Sequence, residues 1–174
     1  MGREELGEYV KEPPIGDSSP TLDKFLQSKV SAFISDETRV DDPYTVDKDA
    51  SGLVVVDAIV SEKNAEKAVV VVDPAGSRHV IGVISNIDAL KWIRDAESAE
   101  AGLVKLRKSN AQEIMNSTCP PTGFFFVGVD DTLERAMDQM REHEVDHIVV
   151  LNDKMEYQGW VNKKVVLTKL IQAL

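Results

Sequence analysis

Cysteine is almost missing from this chain, and so are aromatic residues, long apolar runs and any surplus of positive charge. The single cysteine, Cys119, excludes an internal disulfide and any multi-cysteine metal site, and it suits a reducing compartment. No run of about eighteen apolar residues is present to span a bilayer. The first residues, MGREELGEYVKEPP, are charged and lack the apolar centre of an export signal, so a cytoplasmic location is expected. Thirty acidic against twenty basic residues give a formal net charge of -10. That balance repels nucleic-acid backbones and anionic membranes, so neither is expected as a partner. An anionic ligand would have to find local positive charge. No Ser-His-Asp or Cys-His set, no paired catalytic carboxylates and no Walker-type phosphate loop occurs, so no catalytic residue is assigned and no enzyme is expected.

What the chain does contain is a duplication. Its 174 residues, 43% hydrophobic, suffice for a proper core. LVVVDAIVSEKNAEKAVVVVD, from Leu53, aligns without a gap on LERAMDQMREHEVDHIVVLND, from Leu133, 80 residues later. Leu133, Ala136, Met137 and Met140 fall at helical spacing, as do Leu53, Val56, Asp57 and Val60, although Asp57 is polar. The runs Ala68 to Val72 and Ile148 to Leu151 read as buried strands that end in turn residues. After the turn, HVIGVIS matches YQGWVN on Gly82 and Gly159, and NIDALKWIRDA and KKVVLTKLIQAL read as closing helices. A short amphipathic helix (TLDKFLQSKV, AGLVKLRKSN) and a short strand (PYTV, GFFFVGV) precede each unit. Valine loses rotamer freedom in helices, so the helix at Leu53 rests on the alignment more than on propensity.

The expected fold is α/β (α+β): two pseudo-twofold-related repeats, each a short mixed sheet with two helices, packed sheet to sheet. Residues 1–20, with Pro13, Pro14 and Pro20 and a GDSS run, read as a flexible tail; 21–98 form the first repeat and 99–174 the second.

These features resemble tandem CBS domains, the cystathionine-β-synthase-type repeat pair or Bateman module. The resemblance spans about residues 28–174; AQEIMN, DDTLERAMDQMREHEVDHIVVLND and QGWV carry it in the second half, AVVVVDPAGSRHVIGVISNIDAL in the first. It implies a regulatory sensing module that binds adenosine-containing ligands in the clefts between repeats and pairs into a homodimer. AMP, ADP, ATP and S-adenosylmethionine are the implied ligands, none of them an obligatory cofactor, and a regulated partner protein is implied as well. A dimeric scaffold with vestigial clefts is the alternative.

In that family the pattern Gly, apolar, any, Ser or Thr, any, any, Asp marks a working nucleotide cleft. Gly82, Ser85 and Asp88 meet it, with Asn86 between them. A carboxylate accepts two hydroxyl donors and suits a ribose diol, while a hydroxyl beside the free amides of a helix N-terminus suits phosphate. Ser85-x-x-Asp88 is equally a capping box, which needs no ligand. The second copy has Gly159, Asn162 and Val165 in these places, and Val165 cannot hold a diol, so this cleft reads as degenerate. Lys67 and His147, just before each repeat's second strand, stand where the family often carries a basic phosphate contact; Lys163 and Lys164 start the second cleft's helix. The base would lie in an apolar slot formed by Thr38 to Val46 and the strand near Val69.

HEVDH, His143 to His147, satisfies the zinc-protease pattern H-E-x-x-H, which needs both histidines on one helical face. A helix end falls between them, so no metal site is assigned. NST at Asn116 reads as a polar turn, Phe124 to Phe126 as core or subunit interface, and Met115, Met137 and Met140 as core.

Overall fold

Two central strands set the architecture. β2 (Ala68–Asp73) reads AVVVVD and β5 (His147–Leu151) reads HIVVL, and all their aliphatic side chains are buried. A strand with no polar face needs cover on both sides. The computed structural model describes residues 20–39, 44–75, 79–118 and 124–173 and shows what that cover is. The expected tail up to residue 19, Cys119 and the tip of the DPAGSR turn lie outside the described residues.

Each central strand has a short parallel neighbour, β1 (Thr45–Asp47) or β4 (Phe126–Gly128). Each also has a longer antiparallel neighbour, β3 (His79–Ser85) or β6 (Tyr157–Asn162). The two three-stranded sheets therefore share one order, β1-β2-β3 and β4-β5-β6. One face of the first sheet packs under α2 (Gly52–Val60) and α3 (Asn86–Arg94), through Val69, Val71 and Ile84. The second packs under α6 (Leu133–Glu142) and α7 (Lys163–Ala173), through Ile148, Val150 and Val161. The remaining faces meet each other. Ala68, Val70, Val72 and Val80 lie against Val149, Leu151 and Trp160, with Tyr44 beside them. Full burial of a valine or leucine is worth roughly 1.5–3 kcal/mol, so this seam binds the halves strongly. The expected mixed α/β pair, joined sheet to sheet, is what the chain forms.

The halves also exchange their leading segments. α1 (Pro20–Leu26) is followed by a 3-10 turn, and Val30, Phe33 and Ile34 complete the core of the second sheet. α4 (Ala99–Lys108) and α5 (Ala111–Thr118) precede that sheet in the chain, yet Leu106, Ala111, Ile114 and Met115 complete the core of the first. Two bridges, Lys29 to Thr132 and Ser51 to Asn110, occupy equivalent places.

The repeat is present, but its copies do not align without a gap. Ser51 and Thr132 are the helix N-caps, whereas Ala68 and His147 are the paired first residues of β2 and β5, opposite Ser85 and Asn162. The first copy is thus two residues longer between cap and strand. As a result α2 buries Gly52, Val55 and Ile59, not the expected Leu53, Val56 and Val60; Leu53 is 42% and Val60 63% exposed. Gly52 hid this register, because a glycine does not mark an apolar face. α2 still forms despite its valines, since Ser51 accepts from Val54 N–H and one face is buried. Met137 is also corrected: it is 40% exposed, whereas Met115 and Met140 are buried. Of the three phenylalanines, Phe124 packs on the intersheet seam and Phe125 and Phe126 are exposed.

The two repeat glycines have packing reasons of their own. Each lies beside an irregularity in its strand pair, between Val71 and Val72 or between Val150 and Leu151. A Cβ on Gly82 would run into Met115, and one on Gly159 would run into Ile34, so the exchanged segments cross both strands at closest approach. Gly159 also has φ +136. Gly159→Ala is expected to lower stability by about 3 kcal/mol in urea unfolding, from overpacking and backbone strain together. Gly128→Ala, whose Cβ would meet only Asp131 at 3.5 Å, should change it by less than about 0.5 kcal/mol.

Candidate functional site

The first site residues gather where β3 passes into α3. Ser85 is the N-cap: its Oγ accepts from Asp88 N–H at 3.2 Å. Asp88 Oδ2 in return accepts from Ser85 N–H at 2.9 Å and from Ser85 Oγ at 2.7 Å. The capping box is therefore complete. Asp88 is half-buried, and the bonds to its carboxylate fall on Oδ2, which leaves Oδ1 as a spare acceptor at the mouth of the helix. Asn86 is exposed; its Oδ1 accepts from Ile87 N–H, and its own N–H donates to the carbonyl of Lys67 at 3.0 Å. Lys67 thus belongs to this site through its backbone, at φ 52, an uncommon conformation for a residue with a side chain. Its ammonium turns away to the Ser61 carbonyl at 2.9 Å. Gly82 lies beneath Met115. Val69 faces the helices and is wholly buried, so it does not line an open slot; Tyr44 and Val46 are buried too, and residues 40–43 lie outside the described residues.

His147 is not the counterpart of Lys67. As the first residue of β5 it corresponds to Ala68, and the residue matching Lys67 is Asp146, whose carbonyl accepts from Lys163 N–H just as that of Lys67 accepts from Asn86. His147 lies at the matching corner of the second repeat, paired with Asn162. Its Nδ1 lies 3.4 Å from Glu66 Oε2, and its ring stands at 85° to that of Trp160 with centroids 4.9 Å apart. Asn162 caps α7 by accepting from Val165 N–H at 2.8 Å, and its Nδ2 donates to Glu66 Oε1 at 2.6 Å. Lys163 is paired with Asp146 at 2.8 Å, which holds that carboxyl below the usual carboxylate range. Val165 is half-buried and offers no acceptor.

Glu66 is the residue that sequence reasoning missed. It sits in the polar turn KNAEK, whose pattern resembles any solvated loop, yet its side chain is only 7% exposed and reaches across to the other repeat. The HEVDH histidines part company. His143 ends α6 and stacks on Phe125 at 3.4 Å between centroids, while His147 points at Glu66. Among the described residues no cluster of three or more His, Cys, Asp or Glu is placed to hold a metal. No helix among them is long and apolar enough to cross a membrane.

The helix faces away from the seam carry several exposed apolar side chains among charged ones. A groove of about 750 Å³ runs between α1, α6 and α7 over Leu26, Met137, Met140, Val166 and Leu167. On the first repeat Val60 and Leu90 stand more than 60% exposed, as does Ile171 on the second.

Comparison with known proteins fits this geometry. The family model of the CBS domain matches residues 111–171. A CBS domain-containing protein of unknown function from Bacillus anthracis superposes with a TM-score of 0.65 at 18% identity, over 88% of this chain and 99% of that one. A CBS domain pair/ACT domain protein from Thermotoga maritima gives 0.54 at 23% identity, over 84% and 99%. The chain carries a CBS domain and folds as a CBS-domain pair. The CBS domain of a bacterial CNNM/CorC family Mg2+ transporter, solved in complex with ATP, gives 0.60 at 16% identity over 87% of this chain and 92% of that one. No curated protein matches. Within the CBS pair, the Ser85–Asp88 corner and the Asn162–Val165 corner are equivalent ends of the two repeats, and only the first has a carboxylate in its cap.

Burial pushes the His147 imidazole below its ordinary pKa, and the charges of Glu66 and Asp146 only partly oppose this. The fold therefore favours neutral His147. Stability from this group is complete above the unfolded value of about 6.5 and declines as pH falls from there through the lower folded value. Urea midpoints should drop between pH 7 and 5.5, and His147→Gln should flatten that part of the profile.

Proposed function

We propose that this CBS pair is a non-catalytic, ligand-sensing regulatory module that binds an adenosine-containing ligand of the AMP, ADP or ATP class at the β3–α3 corner of its first repeat. The observation that carries the proposal is the Asp88 carboxylate, which is held in place by Ser85 through one oxygen and keeps the other for a donor. A ribose diol supplies such donors, and the amides that open α3 favour a phosphate. The fold is shared with a transporter CBS domain solved with ATP, which supports the ligand class. S-adenosylmethionine has the same ribose and stands as the alternative adenosyl ligand. The output would be a population shift: ligand stabilises one arrangement of the repeats by its differential affinity. The apolar groove along α6 and α7 and the exposed Val60 and Leu90 suit a homodimer contact and, through it, a regulated partner protein.

A second reading has an observation in its favour. The Ser85–Asp88 capping box is self-sufficient, so the corner also suits a scaffold whose clefts bind nothing. Thermal-shift measurements with AMP, ADP, ATP, NAD and S-adenosylmethionine separate the two. Ligand at a hundredfold excess over its Kd adds about 2.7 kcal/mol to the native state, a rise of several degrees. Asp88→Ala should weaken that response at least about tenfold, beyond the loss of about 1 kcal/mol in the unliganded protein from the missing cap. No shift with any of these ligands, together with the same cap penalty, would select the scaffold.

A further inference from the structure

The second cleft contains donors suited to an anion, and the chain itself supplies the anion. Asn162 Nδ2 donates to Glu66 Oε1 at 2.6 Å, and His147 Nδ1 lies 3.4 Å from Glu66 Oε2. The Trp160 indole N–H, on the ring that meets His147 edge to face, is buried without an acceptor. A buried donor left unpaired is a standing cost that an added acceptor would relieve. A carboxylate as buried as Glu66 needs a donor: Asn162 hydrogen-bonds one oxygen, and His147 Nδ1 stands 3.4 Å from the other.

We propose that Glu66 is an internal occupant of the second cleft, an anionic plug from the first repeat that keeps phosphorylated ligands out until it is displaced. The proposal rests on the reading that clefts of this pair admit phosphorylated ligands. Val165 accounts for the loss of a ribose acceptor but does nothing to exclude phosphate. Glu66 does so twice over, by engaging the Asn162 amide and by repelling an incoming anion within a poorly solvated corner.

The residue after the plug belongs to the first corner. Glu66 directly precedes Lys67, whose carbonyl holds Asn86 N–H at the start of α3. The turn that carries both is pinned from behind. The Asn64 amide donates to the carbonyls of Ala58 and Ala68 at 3.0 and 2.9 Å, and the Tyr44 hydroxyl donates to the Lys63 carbonyl while accepting from Ala65 N–H. The pinned turn holds Glu66 against Asn162, so the plug is set by the fold of the first repeat.

Isothermal titration with ATP, and separately with inorganic pyrophosphate, tests the plug on the wild type, Glu66→Ala, Glu66→Gln and the Asp88→Ala/Glu66→Ala double variant. The wild type should show no more than one binding event per chain. Glu66→Ala should gain an added event, at least about tenfold tighter than any weak second phase of the wild type, with both ATP and pyrophosphate. The added event should persist in the double variant, which places it away from Asp88. Glu66→Gln keeps an acceptor for Asn162 and removes only the charge; it should gain the same event more weakly, and it carries the test if the alanine variant does not fold. Two ATP molecules per wild-type chain, or folded Glu66 variants that bind nothing beyond the wild type, overturn the plug. A wild type that binds no ATP counts against the first-cleft reading alone, because the event gained by the Glu66 variants is scored independently.

Discussion

The whole arrangement depends on two strands that have no face to give to water. β2 and β5 are apolar on both sides, and the chain covers one side with helices and the other with its own second copy. That choice produces the intersheet seam of Ala68, Val70, Val72 and Val80 against Val149, Leu151 and Trp160. The clefts are by-products of the same packing. The corners proposed as clefts lie where β3 and β6 leave the seam and hand over to α3 and α7, which is also where helix amides begin. The exchange of leading segments reinforces the seam, because Ile34 and Met115 each cross onto a glycine of a repeat strand.

Most of this architecture could be read from the residues, and the failures have physical causes. The runs Ala68 to Val72 and Ile148 to Leu151 announced buried central strands, and Gly82 and Gly159 marked equivalent points in the copies. The helix register of α2 could not be read, because one of its three buried positions is Gly52, and the longer connection to β2 shifted every later match. The exchange of α1 with α4 and α5 left no trace in periodicity, since an amphipathic segment shows that it has a partner but not which one. Lys67 and His147 were paired by position in a gapless alignment; the structure sets them one residue apart in the repeat, one offering a carbonyl and the other an imidazole.

At the first corner, the cap formed by Ser85 and Asp88 is compatible with the proposed ligand contact. The cap engages Asp88 Oδ2 and orients the side chain, and preorganisation of this kind is what a ligand contact requires. The second corner has the same cap, made by Asn162, but its remaining polarity is turned to Glu66. A glutamate in a polar turn gives no sequence signal, because its importance lies in a partner 96 residues away. At these two corners the repeats share a backbone plan and differ in a few side chains, with Asp88 in one and Val165 and Glu66 in the other.

If the seam and the exchanged segments make one cooperative unit of the two repeats, neither sheet can open alone. Native-state hydrogen exchange of the central-strand amides, followed as a function of urea, measures this directly. The slowest amides of β2 and of β5 should exchange with one free energy and one urea dependence, equal to those of global unfolding. Exchange of either strand several kcal/mol below the other, with a shallower urea slope, would show that the halves open separately and would contradict the account.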